Sequence, residues 1–247
     1  MTTDISQLLD NWSFDPEANV RKITGNDGSA KIQVRVDQGA FQGILQLNLD
    51  GRPDGKRPYG TDYVLQHYEA QAEQCADAAD YQLDADACRE LFDESARIYG
   101  RYVFLLQIKE YERVVADTER NMRLFDFVNR YAEQAADPDN LQKWWPYILR
   151  IHATARAMLA SNGDDFDQAL RILADTRQQI ESLSDVEAEE FLVERERSLE
   201  ALDELVQQLS EQRPLSPREQ LERELEEAIS SEAFERAARL RDRLRDL

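Results

Sequence analysis

The stretch Lys31–Asp50, KIQVRVDQGAFQGILQLNLD, decides the fold class. In KIQVRVD and again in ILQLNLD every second residue is apolar. A period of two is typical of half-buried antiparallel strands. With the preceding run NVRKIT (19–24) and the turn GNDGS, the stretch predicts a three-stranded β-meander, which follows a short helix at 4–10. The predicted inward-facing residues are Ile32, Val34, Val36, Leu45, Leu47 and Leu49.

The meander is the only part of the chain with a strand pattern. Three strands alone are marginally stable, so we expect the sheet to pack on a helix from the remainder. Seven of the nine glycines lie in residues 1–60. Because glycine costs about 1 kcal/mol inside a helix, this distribution predicts turns and strands first and helices afterwards. The stretch DGRPDGKRPYG (50–60) holds two prolines and three glycines and is predicted to be a loop.

Helical periodicity begins at Thr61, which we interpret as an N-cap. A capping box formed by Ser184 and Glu187 predicts the start of a later helix, and RPLSP (213–217) predicts its end. Breaks are predicted at PDN (138–140) and NGDD (162–165). The predicted helices of this region cover residues 61–80, 86–108, 111–135, 141–161, 166–183 and 184–209. The fold class is therefore α+β, mainly α.

Charge divides the chain in the same way as composition. The net charge is −20, of which residues 1–60 carry −1 and 216–247 carry −2, leaving −17 for 61–215. We predict a small antiparallel β region at 1–60, an acidic helical region at 61–212 and a separate module at 216–247. A pI near 4.5 argues against broad electrostatic binding to nucleic acid or to anionic lipid.

Composition also excludes several classes of protein. A hydrophobic fraction of 42% is too high for a wholly disordered chain. No apolar run approaches the ~20 residues that cross a bilayer, which excludes an integral membrane protein. The start MTTDISQLLDNW has neither the basic nor the apolar part of a secretory signal. With only two cysteines and no sign of a disulfide scaffold, we expect a cytoplasmic protein.

Two stretches of the middle region, 105–118 and 158–176, look alike. Each has an amphipathic helix, a short polar break, an aromatic residue and then a small or β-branched pair. The pattern resembles the helix-turn-helix unit of tetratricopeptide repeats, which implies a groove for a peptide or a helix. Convergent packing of antiparallel helices is the alternative. The aromatic residues are Tyr111 and Phe166, and the pairs are Val114-Val115 and Ala169-Leu170.

The segment ERNMRLFDFVNRYAEQA (119–135) has an apolar stripe at helical spacing with arginines beside it. The stripe is either a core-facing helix with a solvated rim or a ligand groove whose arginines pair with an acidic partner. Trp144 and Trp145 present the same alternatives. The stripe consists of Leu124, Phe127, Val128 and Tyr131, and the arginines are Arg120, Arg123 and Arg130.

The C-terminal stretch SPREQLERELEEAISSEAFERAARLRDRLRDL (216–247) predicts a helical hairpin of about 30 residues. Ser216 is a predicted N-cap, Pro217 occupies the first helical position and Glu219 completes a capping box. The break is predicted near 230–232. A hairpin of this size needs a partner surface or self-association. The predicted apolar face of its first helix is Leu221, Leu225, Ala228 and Ile229; its second helix presents Phe234, Ala237, Ala238, Arg241, Leu244 and Leu247.

This hairpin resembles the UVR motif shared by the excision-repair subunits UvrB and UvrC. Ala228 lies six residues before Phe234, and the run from Phe234 matches Phe-Glu-x-Ala-Ala-x-Leu-Arg-Asp-x-Ile/Leu-x-x-Leu. The whole layout resembles small bacterial proteins with a UVR domain. The resemblance implies protein–protein contact with another UVR-type hairpin or a related helical surface, including self-association, in DNA repair or stress response. The implied partner-binding residues are Phe234, Ala237, Ala238, Leu240, Arg241, Leu244 and Leu247.

Two expectations follow for the hairpin. If Phe234 is buried, its replacement by alanine should cost several kcal/mol of packing. The last twelve residues hold five arginines against two aspartates. These arginines have three possible roles. They interact favourably with the macrodipole at the C-terminal end of the helix, they pair with acidic helices of this or a second copy, or they contact phosphates. Direct nucleic-acid binding fits poorly with a charge of −20 and is the alternative function.

Enzyme chemistry has little support in the sequence. A zinc site from His67, Cys75, Cys88 and His152 would match no usual ligand spacing. No Gly-x-x-x-x-Gly-Lys-Ser/Thr phosphate loop and no Gly-x-Ser-x-Gly elbow occurs. We therefore predict a non-catalytic protein without cofactor or metal. An enzyme with an unrecognised acidic site is the remaining alternative.

Overall fold

A computed structural model describes residues 4–75, 81–132, 141–215 and 217–245. It is an α+β, mainly α structure and divides into two compact units, 1–205 and 206–247. The strands are β1 (Val20–Thr24), β2 (Ala30–Gln38) and β3 (Phe41–Asn48). The helices are α1 (Ser6–Asp10), α2 (Val64–Gln74), α3 (Ala85–Gln107), α4 (Tyr111–Tyr131), α5 (Trp145–Asn162), α6 (Phe166–Glu181), α7 (Glu189–Gln212), α8 (Pro217–Ser230) and α9 (Phe234–Arg245).

The predicted β-meander is confirmed. The strands form one antiparallel sheet in the order β1-β2-β3, with Val20 opposite Val34 and Ile32 opposite Leu47. Ile32 and Val34 are buried, as the alternation predicts. The sheet packs on helices, as expected: Ile32 and Leu49 share a core with residues of α3, α4 and α5. The helical members of this core are Ile98, Tyr102, Leu105, Tyr111, Val114, Ile151 and Ala155.

Two side chains of the sheet differ from the alternating pattern. Arg35 is buried although it was expected on the polar face, and Val36 is only half-buried. The Arg35 guanidinium donates to the carbonyls of Trp12 (3.3 Å) and Gly43 (3.4 Å), which supplies hydrogen bonds to a buried charge. Leu45 is exposed, and unlike Leu47 and Leu49 it is not among the side chains that pack in the core shared with the helices.

A second core lies where α2, α3, α4 and the start of α5 meet. It contains Leu65 from α2, Leu91 from α3, Leu124 and Val128 from α4, and Ile148 from α5. The three central side chains, Leu91, Leu124 and Ile148, are almost fully buried. The apolar stripe of residues 119–135 therefore faces the interior of the protein.

The two similar stretches of the middle region form helical hairpins with the same connection. Between α3 and α4, Lys109 has φ 60° and the Glu110 N–H donates to the Leu105 carbonyl at 2.9 Å. Between α5 and α6, Asp164 has φ 62° and the Asp165 N–H donates to the Ala160 carbonyl at 2.9 Å. A left-handed residue followed by this hydrogen bond is a Schellman-type helix end. In both cases the next helix begins with the aromatic residue, one position later.

The start of α2 differs from the prediction. Thr61 is not its N-cap; the helix begins at Val64. The carboxylate of Glu94, on α3, accepts hydrogen bonds from the N–H groups of Val64 (2.8 Å) and Leu65 (3.1 Å). An acid from another helix thus satisfies these two N–H groups, and the Gln66 side chain accepts from the N–H of the N-cap residue Tyr63 at 3.3 Å. The predicted end of this helix, at 76–80, lies outside the described residues.

Two other helix boundaries were placed wrongly. The helix predicted to reach 135 ends at Tyr131, where the Tyr131 carbonyl accepts a hydrogen bond from the Leu83 N–H at 2.8 Å and Ala132 forms an isolated parallel β-bridge with Leu83. The helix predicted from Ser184 begins at Glu189, and Asp185 pairs with Arg195 at 2.6 Å instead of belonging to a first turn. The break predicted at 138–140 is outside the described residues.

The described helices were compared with the length and apolar character of membrane-spanning helices. In the described ranges none combines the length and the apolar character that crossing a bilayer requires.

Candidate interaction site

The C-terminal segment forms the predicted antiparallel hairpin of α8 and α9. Its small core consists of Leu221 and Ala228 from α8 and of Ala237 and Leu240 from α9, all buried. Ala228 and Ala237 keep the two helices close, because neither carries atoms beyond Cβ. Leu225, Ala233 and Leu244 are partly buried and pack against this core. Four buried residues make a core far smaller than that of a typical independent domain.

The turn of this hairpin repeats the connection found in the middle region. Glu232 has φ 57°, and the Ala233 N–H donates to the Ala228 carbonyl at 2.8 Å. The next helix again begins with an aromatic residue, Phe234, one position after Ala233. The Ser231 hydroxyl donates to the Glu227 carbonyl at 2.7 Å and satisfies another acceptor at the end of α8. The hairpin is thus a third example of the same helix-to-helix connection.

Two large apolar side chains flank this turn and lie in solvent. Phe234 is 69% exposed and Ile229 is 54% exposed. The prediction that Ile229 shares the inner face of α8 is wrong, because its neighbour Ala228 points into the hairpin and successive helix residues are about 100° apart. The stability cost expected for replacing a buried Phe234 does not apply either, since this ring is not buried.

The structure divides the predicted partner-binding residues into two groups. Ala237 and Leu240 are buried inside the hairpin and Leu244 is partly buried against its core, so their contacts lie between α8 and α9. Phe234, Ala238 and Arg241 are exposed and accessible to a partner. Leu247 lies outside the described residues. A role in partner binding remains a prediction for all of them, with the exposed residues best placed for it.

The two helices of the hairpin have opposite charge. Residues 217–230 contain five acids and two bases, whereas 234–245 contain five bases and two acids. Arg236 pairs with Glu224 of the other helix at 3.5 Å, and Arg245 pairs with Asp242 at 3.7 Å. Arg241 and Arg243 are exposed and have no ion pair with any carboxylate of the described residues.

Two of the three arginines beside the apolar stripe of α4 pair with carboxylates of this protein, and Arg130 is exposed and lies 5.2 Å from the ring centroid of its neighbour Tyr131. Arg123 pairs with Glu69 (2.5 Å), and Arg120 pairs with Asp117 (3.0 Å) and stacks on Tyr63. These contacts favour the core interpretation of residues 119–135. Trp145 packs edge-on against Phe125 of the same core, with ring centroids 5.7 Å apart.

The residues considered for a metal site have structural roles. His67 stacks on Tyr59 with ring centroids 3.8 Å apart, and His152 Nδ1 lies 2.9 Å from the Thr118 hydroxyl. Burial lowers the pKa of His152 because the charged imidazolium would be desolvated. Cys88 is buried in the core and Cys75 is exposed. Within the described part of the chain, no three or more His, Cys, Asp or Glu side chains are grouped to hold a metal ion.

These features define a mainly helical α+β protein that ends in a short helical hairpin with an uncovered aromatic ring. A family model described as the UvrB/uvrC motif matches residues 217–247, which confirms the resemblance inferred from the sequence. The motif is found in DNA-repair-related proteins and mediates protein interaction. No curated protein and no solved structure matches the chain.

Proposed function

We propose that this chain is a non-catalytic interaction protein whose C-terminal hairpin docks on another UVR-type hairpin, including that of a second copy. The observation that carries the proposal is the exposure of Phe234, 69%, at the start of α9. An exposed phenylalanine loses the free energy that its burial would provide, about 1.5–3 kcal/mol. A partner that covers this ring recovers it.

The hairpin of α3 and α4 indicates what such a partner would do. Tyr111 begins α4 as Phe234 begins α9, and it is 6% exposed. It lies in a core built with the sheet and with α5, so elements beyond its own hairpin cover it. By the same geometry, Phe234 requires a surface that its own hairpin does not supply.

Charge supports a second hairpin as that surface. An antiparallel pair of hairpins would place the basic α9 of each beside the acidic α8 of the other. Arg241 and Arg243, which are not ion-paired within the described residues, would then meet carboxylates of α8. Such complementarity sets register and association rate more than affinity. Nucleic acid is a weaker alternative, because the chain as a whole carries −20.

We place this role in the cytoplasm, as an accessory of DNA repair or of a stress response. The support is the class of proteins in which the motif occurs, together with the absence of any recognisable catalytic motif in the sequence. The partner itself would identify the pathway.

The proposal is tested by affinity capture from the native lysate with four baits: the full chain, a chain ending at Arg213, Phe234→Glu and Phe41→Glu. Phe41 is the matched control because its ring is 78% exposed on the β-meander. We expect the full chain and Phe41→Glu to retain a protein with a UVR-type hairpin, or an untagged second copy. The other two baits should lose it. Retention of the same proteins by all four baits would refute docking through the hairpin.

A further inference from the structure

A cleft of about 530 Å³ lies among α3, α4, α5 and α7, within the unit 1–205. Aromatic rings form much of its lining. Tyr99 of α3 is 47% exposed and Trp144, just before α5, is 40% exposed. Tyr147 of α5 is half-buried and meets the Tyr99 ring at an angle, with centroids 5.7 Å apart. The volume is within the range of small-molecule sites, about 300–1,000 Å³.

The charged residues that line the cleft are two cations and one carboxylate, Lys143, Arg197 and Glu194. The carboxylate is shared, because Glu194 accepts hydrogen bonds from Arg150 of α5 at 3.2 Å and from Arg197 at 3.4 Å. Two guanidinium groups with one carboxylate between them leave a positive charge uncompensated. This local excess lies in the acidic middle region of the chain.

Arg197 is the cation that a ligand can reach most easily. Its side chain is 66% exposed, whereas that of Arg150 is 17% exposed and also donates to the Ser198 hydroxyl at 3.2 Å. A guanidinium has five N–H donors, so the bond to Glu194 does not exhaust those of Arg197. Lys143 is less available, because it pairs with Glu190 at 3.6 Å.

Hydroxyl groups add further donors to the lining. Ser95 and Tyr102 are buried, whereas Tyr99 is exposed and Tyr147 is half-buried. Burial raises the pKa of the Tyr147 hydroxyl, so this group stays protonated and can donate a hydrogen bond. A ligand that supplies acceptors therefore fits this lining better than one that supplies donors.

We infer that this cleft binds a small aromatic carboxylate, whose ring packs against Tyr99 and Trp144 and whose carboxylate pairs with Arg197. The exposed rings offer stacking and edge-to-face contacts. The guanidinium offers charge-assisted hydrogen bonds in a geometry that matches a carboxylate. A cationic ligand would meet the repulsion of two guanidinium groups. This site does not depend on the proposed docking through the hairpin, because all of its residues lie in the unit 1–205.

Indole-3-acetate, indole-3-acetamide and tryptamine are suitable probes, because they share a ring system and are anionic, neutral and cationic at neutral pH. Ligand-observed saturation-transfer NMR would detect binding to the full chain, and calorimetric titration would rank affinities. We expect indole-3-acetate to bind about fivefold more tightly than the amide, the upper end for a partly exposed ion pair. Tryptamine should bind most weakly. The net charge of −20 favours the opposite order, so non-specific attraction cannot produce this one.

Two results with the parent chain would overturn the inference. One is the absence of indole-3-acetate binding at millimolar concentration. The other is an affinity for the acid that does not exceed the affinity for the amide.

Substitutions of the charged residues test the role of Arg197. Arg197→Gln should lower the affinity for indole-3-acetate to that for the amide. Arg171→Gln, which removes an exposed arginine of α6, is the matched control and should keep the difference. Glu194→Gln should raise the affinity for the acid, because it removes the carboxylate that competes for both guanidinium groups. An unchanged preference for the acid in Arg197→Gln would overturn the inference.

A further pair of variants shows whether the probe occupies this cleft. Ala96 lines it and is exposed, so Ala96→Trp should fill part of the cleft without disturbing the core and should abolish binding. Ala174→Trp, an exposed change in the middle of α6, is the matched control and should bind normally. Unchanged binding by Ala96→Trp would overturn the assignment to this cleft.

Discussion

Phe234 occupies the position in α9 that Tyr111 occupies in α4, but the two rings have opposite surroundings. Each begins its helix two residues after a left-handed residue, Glu232 (φ 57°) or Lys109 (φ 60°). Tyr111 is 6% exposed and Phe234 is 69% exposed. The local geometry is thus the same, and the difference lies in the elements that surround the helix. The C-terminal hairpin has the same connection between its helices as the hairpin of α3 and α4, but no other element buries its aromatic residue.

This difference predicts how two substitutions in α9 affect stability. Leu240→Ala removes a buried side chain and should cost about 2–5 kcal/mol, enough to unfold a hairpin with so small a core. Phe234→Ala removes an exposed ring and should cost less than about 1 kcal/mol. Hydrogen exchange of the α8 and α9 amides in the full chain measures both. Equal loss of protection in the two variants would show that Phe234 is packed within the hairpin.

The opposite charges of α8 and α9 predict salt-dependent self-association. Arg241→Glu combined with Arg243→Glu should weaken association of two copies in sedimentation experiments, because each guanidinium would lose a carboxylate of the other hairpin. The effect should shrink as salt rises, since exposed charges are screened beyond about 10 Å at 0.1 M salt. The control is Arg89→Glu combined with Arg171→Glu, which reverses two exposed charges on α3 and α6. Equal weakening by both pairs would indicate an effect of net charge alone.

The left-handed residues in the turns predict a stabilising substitution. The left-handed conformation raises the free energy of the folded chain by about 1–2 kcal/mol for a residue with a Cβ, whereas glycine adopts it without this cost. Lys109→Gly should therefore raise the free energy of unfolding by about 0.5–1 kcal/mol after the added entropy of the unfolded chain is subtracted. Lys109→Ala, the control, should bring no gain. Urea denaturation followed by circular dichroism measures these differences. A destabilised Lys109→Gly protein would mean that the lysine side chain contributes more than its backbone costs.

The buried carboxylate of Glu94 predicts a pH dependence. Burial raises its pKa above the ordinary value, although its bonds to the Val64 and Leu65 N–H groups oppose that shift. A raised pKa in the folded state means that the protonated form contributes stability below the ordinary pKa. That stability is lost as the pH rises through the raised pKa.

Glu94→Gln isolates this contribution because the glutamine cannot ionise. The parent chain should lose stability relative to Glu94→Gln as the pH increases from 4 to 7.5, measured as the difference between their free energies of unfolding. Urea titrations at both ends of this range measure it. A difference that does not change with pH would show that Glu94 has the same pKa in the folded and unfolded chain.

Local patterns in the sequence were enough for much of the fold. The alternation in 31–50 predicts the sheet because it depends only on neighbours two residues apart. The helical hairpins follow from periodicity and polar breaks, and the motif at 217–247 is recognisable because its apolar residues recur at fixed spacing. Ala228 and Ala237, which the same spacing places on the apolar faces of their helices, are both buried in the C-terminal core.

Contacts between distant residues explain the predictions that failed. The start of α2 depends on Glu94, thirty residues after Val64, and no signal near Thr61 reveals that acid. The end of α4 depends on the hydrogen bond between the Tyr131 carbonyl and the Leu83 N–H. Ile229 and Ala228 are adjacent apolar residues, so local sequence does not show which of them packs against α9 in the hairpin. In each case the deciding partner is remote in sequence.

By itself, the sequence determined the order of strands and helices, the acidity of the middle region and the identity of the C-terminal motif. All three are local or additive properties of the chain. Only the tertiary structure decided that Tyr111 is buried while Phe234 is exposed, and that the carboxylate of Glu94 meets the first N–H groups of α2. Both depend on which surfaces several elements bury together, and that is a property of the packed chain.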